Sequence, residues 1–171
     1  MKNSILILID VHGGIKSPLS MLAEPHPLPY RGPYMYYKVT NIINTLQYCK
    51  KNEIPMVKAN YMFDNYGDSP ILKDFNFEYD TSRLPNFNFF ETVYFAGGSL
   101  DQCIYHTRPL SYDNVDHKNK KIILNSCWQG APDNRILGRH SDDHFNSLEE
   151  VVQYTNDFLI KKKINYTSRL V

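Results

Sequence analysis

Apolar positions along the chain follow two rhythms. Residues 4–11, SILILIDV, form an unbroken apolar run ending in an acid. That is the pattern of a central parallel strand buried on both faces, with the Asp10 carboxylate at its C-terminal end. From 36 to 52, in YYKVTNIINTLQYCKKN, the residues Val39, Ile42, Ile43, Leu46 and either Cys49 or Tyr48 recur at the helical period and lysines gather at the end. This predicts an amphipathic helix returning across a sheet. IPMVKANYM at 54–62, ETVYFAG at 91–97 and KKIILNSC at 120–127 read as the second, third and fourth strands, and INYTSRLV at the end as a short closing strand. Pro55 lies near the entry of the second strand, where proline is tolerated. A helix carrying Cys103 follows the third strand and ends near Pro109, because proline disfavours helical geometry in the residue before it. SLEEVVQYTNDFLIKKK, 147–163, reads as a long helix opened by Ser147, with Glu150 at capping-box spacing. Residues 12–35 are rich in Gly and Pro, residues 63–90 are rich in aromatic side chains, and both stretches read as loops.

Strands and helices alternating at this spacing predict an α/β fold, three-layer α/β/α with a mainly parallel, Rossmann-like central sheet. The 171 residues suit a single domain spanning 1–171. Ligands on such sheets bind at the C-terminal strand edge, where Asp10 and the AGGSLDQC turn both belong. An apolar fraction of 42% with 22% charge argues against disorder. Nineteen basic against eighteen acidic residues leave a formal charge of +1, so no long-range field points to a nucleic acid or membrane partner. The aromatic stretch FNFEYDTSRLPNFNFF lacks the interleaved basic residues of a base-stacking groove. Lys161, Lys162 and Lys163 fall at a helix end, where cations complement the dipole. The first apolar run is about half the length of a membrane span and shows no cleavage site, and the chain is expected to be cytoplasmic.

Three cysteines, Cys49, Cys103 and Cys127, without CxxC or CxxH spacing argue against a disulfide framework and a zinc site and fit a reducing compartment. Cys49 and Cys127 read as small core residues. Cys103 differs, since a thiol in the first turn of a helix lies near the positive end of the dipole, which favours the nucleophilic thiolate. AGGS lacks GxGxxG spacing and is no dinucleotide fingerprint.

The segments ILILID, CKKNEIPMVKANY, ILKDFNFEYDTSRL and GGSLDQCIYHT resemble, in this order, the strand ending in Asp, the helix and second strand, the lysine before an aromatic segment and the cysteine turn of the isochorismatase-like hydrolase superfamily, in its cysteine hydrolase branch. Gly97 lies six residues before Cys103, Asp101 two before, Ile104 directly after and Thr107 four after. The resemblance covers residue 4 to about 130 and implies the isochorismatase-like hydrolase fold with an Asp10–Lys73–Cys103 triad. It further implies a cis peptide between Gly98 and Ser99, whose backbone N–H groups form an oxyanion hole together with that of Cys103. The implied activity is hydrolysis of a small non-peptide amide or related C–N bond through a covalent acyl-enzyme, without cofactor or metal. Small-molecule substrate and homo-oligomer, dimer or tetramer, are the partners it implies. A catalytically inactive member that binds a small metabolite or a protein partner is the alternative.

Several positions depart from the family pattern. Asp10-Val11-His12 stands where Asp-x-Gln is common, and His12 reads as a substrate contact, a second proton carrier or a loop histidine. Substrate contacts are expected at His12, Tyr61 and Phe63, on the two loop regions. The segment after Lys73 is short, so Arg83 or Lys58 are alternative cations. Asp64 and Asp68 occur without the histidine of a nicotinamidase metal site. Arg108 replaces the usual alanine and reads as an anion-attracting pocket residue or a surface salt bridge. His140 and His144, spaced by four, offer two imidazoles for metal-assisted hydrolysis, but neither a third ligand nor a zincin glutamate accompanies them.

Overall fold

A computed structural model of the chain describes residues 3–26, 28–60, 67–78, 86–106, 108–129 and 145–170. Strands β1 (Ser4–Ile9), β2 (Met56–Ala59), β3 (Thr92–Gly97), β4 (Lys120–Cys127) and β5 (Tyr166–Thr167) form one sheet in the order β2-β1-β3-β4-β5. Every neighbouring pair is parallel. Parallel strands need crossovers, which here run through α1 (Pro18–Ala23), α2 (Arg31–Lys51) and α3 (Leu148–Lys161). The result is a three-layer α/β arrangement.

Side-chain alternation along the strands divides the core in two. Ile5, Ile7, Ile9, Val57, Val93, Phe95 and Ile122 face one side, with Leu100, Cys103, Ile104, Leu110, Leu159 and Ile164 packed on them. Leu6, Leu8, Met56, Tyr94, Ala96 and Ile123 face the other and meet Met35, Val39, Ile42, Leu46 and Cys49 of α2, with Met21 of α1. Each fully buried Leu or Ile contributes about 1.5–3 kcal/mol. The spacing of the α2 contacts is the predicted helical one.

Two helices lie where the sequence predicts loop. Ser17 accepts a hydrogen bond from the Ser20 amide at 3.2 Å and Pro18 occupies the first turn, so α1 starts with an ordinary cap. The second helix begins at Arg31 rather than 36, and contains Pro33 in its first turn. Proline is tolerated there, because its missing N–H would have no helical partner. α3 opens as expected, with Ser147 Oγ accepting from the Glu150 amide at 3.2 Å. The Glu150 carboxylate reaches the amide of Asn146 rather than that of Ser147.

β4 is irregular. Phe95 pairs with Ile122, yet Gly97, two residues on, pairs with Cys127. Within the extra length, Ser126 Oγ lies 2.8 Å from Thr45 Oγ and donates to the Asn41 carbonyl at 3.0 Å, tying the bulge to α2.

Candidate active site

The C-terminal edge of β1 and β3 carries Asp10 and the glycine turn. Ile9 pairs with Gly97, and the Gly98 amide donates to the Ile9 carbonyl at 3.1 Å. Asp10 is 2% exposed, and its amide donates to Ala59 of β2 at 2.8 Å. Its φ of +52° lies in the left-handed region, which Asp tolerates better than bulkier residues. Gly97, at φ +113°, has no room for a side chain, since a Cβ would stand 1.9 Å from the Ile9 carbonyl oxygen. At Gly98 a Cβ would lie 1.9 Å from the indole of Trp128. Trp128 itself is held by its amide to the Gly97 carbonyl at 3.0 Å and by its carbonyl to the Leu100 amide at 2.9 Å. The Gly98–Ser99 peptide is cis, at the bond where the resemblance implies one.

Cys103 does not lie on the longer helix that the sequence predicts. Leu100–Ile104 is a single π turn, in which the Ile104 amide reaches back to the Ser99 carbonyl at 3.1 Å. The turn stops because residues 111–113 take its next carbonyls. Ser111 Oγ donates to the Cys103 carbonyl at 2.6 Å, and the Tyr112 and Asp113 amides donate to those of Ile104 and Tyr105. A five-residue turn supplies little macrodipole, so thiolate stabilisation from a helix end is weaker than expected. Asp101 fixes the turn from its other side. Its carboxylate accepts from Ser99 Oγ at 3.1 Å and from the Tyr154 hydroxyl of α3 at 2.8 Å. Asp101 and Ser111 therefore position the turn. Asp101 is visible in the motif register, whereas Ser111 has no sequence signal.

Cys103 is 7% exposed and belongs to the core cluster that includes Ile9, Ala59, Phe87 and Leu100. The Gly98 amide is engaged by Ile9 and joins the strands instead of forming an oxyanion hole. Cys49 and Cys127 are buried thiols, and burial pushes both up to about 12.

His12 is buried beside this edge. Its Nδ1 accepts from the Gly14 amide at 3.0 Å, which leaves the proton of the neutral ring on Nε2, and burial lowers its pKa to about 4. A ring this reluctant to ionise is a poor proton carrier at neutral pH. It forms a β-bridge with Asp68, which also binds the Lys58 ammonium and accepts from Asn60 Nδ2 at 3.1 Å.

Lys73 is not brought to the other two triad candidates. It is exposed, and lines a separate surface groove with Ile43, Gln47 and Lys50 of α2, the helix covering the face opposite Cys103. Lys58, the alternative cation, is paired with Asp68. Arg108 is exposed. Tyr61, Phe63, Asp64, Arg83, Thr107, His140 and His144 lie outside the described residues. Among the described residues, no group of three His, Cys, Asp or Glu side chains is placed to hold a metal ion, and no helix is long and apolar enough to cross a membrane. Comparison of the chain with protein-family models, curated proteins and solved structures finds no match.

Proposed function

We propose that the protein is a cysteine-dependent hydrolase of a small non-peptide amide or related C–N bond, working as the isochorismatase-like hydrolases it resembles do. One observation carries this reading: the Ile9–Gly97 pairing and the Gly98–Ile9 hydrogen bond set Asp10 and the Cys103 turn side by side at one sheet edge. In the proposed reaction Asp10 takes the thiol proton and the Cys103 sulfur adds to the substrate carbonyl carbon. The C–N bond then breaks, and the leaving nitrogen carries off the proton. Water, deprotonated by Asp10, hydrolyses the thioester, releasing the acid and restoring the thiol. The resemblance assigns the oxyanion contacts to the backbone around Ser99 and Cys103, where such donors contribute about 3 kcal/mol. Cytoplasmic location and a homo-oligomeric state belong to the same reading.

The place of Lys73, in a groove on the other face of the sheet, favours a second reading. In it the chain is an inactive member of the same family, retaining the turn to bind a small metabolite.

Iodoacetamide alkylation followed by mass spectrometry across pH separates the two, with Cys49 and Cys127 as internal controls. The hydrolase reading expects Cys103 to react selectively below pH 7, and expects Asp10→Ala to slow that reaction about tenfold. A Cys103 no more reactive than the two controls would favour the second reading.

A further inference from the structure

Among the described residues β5 pairs only with Ile122 and Ile123, with one further bond from the Asn125 amide to the Ser168 carbonyl, so the C-terminal half of β4 runs on without a full neighbouring strand. Beside it, between α2 and α3, lies a cavity of about 430 Å³, within the range of small-molecule sites. Its walls are mostly apolar, formed by Tyr37, Leu124, Leu148, Val151 and Val152 among others. Tyr37, Leu148 and Val152 are also exposed, so the apolar lining opens to solvent.

Two polar features break this lining. Lys38 is the single charged residue among the described residues that line the cavity. Its ammonium donates to the Leu124 carbonyl at 2.8 Å and stands 5.5 Å and 5.8 Å from the ring centres of Tyr34 and Tyr37. Burial lowers its pKa to about 8, so it is mainly cationic at pH 7 while poorly solvated. Gln129 is 1% exposed. Its backbone is fixed on both sides, by the Tyr34 hydroxyl at 2.7 Å and by Arg31 Nη1 at 2.8 Å. Neither its side-chain nitrogen nor its side-chain oxygen has a hydrogen-bond partner among the described residues. Both amide atoms are also closed off from solvent, so the Gln129 side chain closes the cavity's inner end without offering it a free donor.

We propose that this cavity binds a small apolar monocarboxylate, its head group accepting from the Lys38 ammonium and its body lying between the apolar side chains of α2 and α3. A positive centre without an acidic neighbour among the described lining residues selects an anionic head, and the apolar walls select the rest of the molecule. Lys38 and Gln129 have no part in the Cys103 chemistry proposed above, so this site stands or falls separately.

Decanoate binding to the full chain, followed by isothermal titration calorimetry with decanol as the neutral counterpart, tests the proposal. Wild type is expected to bind both. Lys38→Met is expected to weaken decanoate about tenfold, the effect of losing one charge-assisted hydrogen bond, while decanol is unchanged. Val152→Trp, at a half-exposed wall position, is expected to abolish binding of both by filling the space. Lys38→Gln repeats the charge test should Lys38→Met fail to fold. The proposal is overturned if wild type binds no decanoate, if folded charge-removing variants bind it as wild type does, or if Val152→Trp leaves binding intact.

Discussion

His12 shows how a single buried ring couples this site to pH. Its folded pKa of about 4 lies below the ordinary value of 6.5, so in that window the unfolded chain binds a proton that the folded chain refuses. The stability it confers is complete above pH 6.5 and is lost as pH falls toward 4. The contribution is on the order of 2 kcal/mol, discounted for partial solvation. Chemical denaturation at pH 7 and pH 4.5 is expected to show a smaller loss in His12→Gln than in wild type; equal losses would remove His12 as the cause. The positions of Asp10 and Gly97 at the strand edge are legible from the sequence because they follow from chain geometry at a strand end. The placement of Lys73 was not legible. Distance along the chain from the aromatic segment does not tell which face of the sheet a surface lysine will reach, and here Pro70–Leu72 turns it toward α2.

Among the elements, the π turn depends most on distant partners. The bond from Tyr154 of α3 to Asp101 links a helix near the end of the chain to the segment bearing Cys103. Tyr154→Phe removes that donor, and a hydrogen bond to a charged group is worth about 1.5–3 kcal/mol. Thermal denaturation is expected to register the loss, and Cys103 alkylation to speed up as the turn loosens; an unchanged rate would show that Ser99 and Ser111 suffice to hold it. Strands β1 and β3 were legible as apolar runs, since burial on both faces leaves a continuous signal. The first turn of α2 and all of α1 were obscured by prolines that helices accept near their starts. The early end of the Cys103 turn could not be read locally, because its cause, hydrogen bonding by residues 111–113, is tertiary.

For the whole molecule, the decisive property is that one sheet separates two cores. The C-terminal segment serves both: Ile164 belongs to the cluster containing Cys103, and Leu170 to the one built on α2. Ile164→Ala and Leu170→Ala are each expected to cost about 2–4 kcal/mol. Because the two side chains sit on opposite faces, the double variant is expected to equal the sum within about 0.5 kcal/mol in urea denaturation. A clear excess or deficit would show that the cores yield together through the sheet. The short outer strand β2 offers few open backbone groups at its edge, which limits edge-to-edge pairing there.

The company Cys103 keeps also sets an order of events during synthesis. Two of its cluster partners, Leu159 and Ile164, are made long after it, and chains begin to fold from the N-terminal side as they emerge. Until α3 and β5 arrive, the thiol waits on an unfinished surface, more open to solvent than the 7% exposure it keeps in the completed fold.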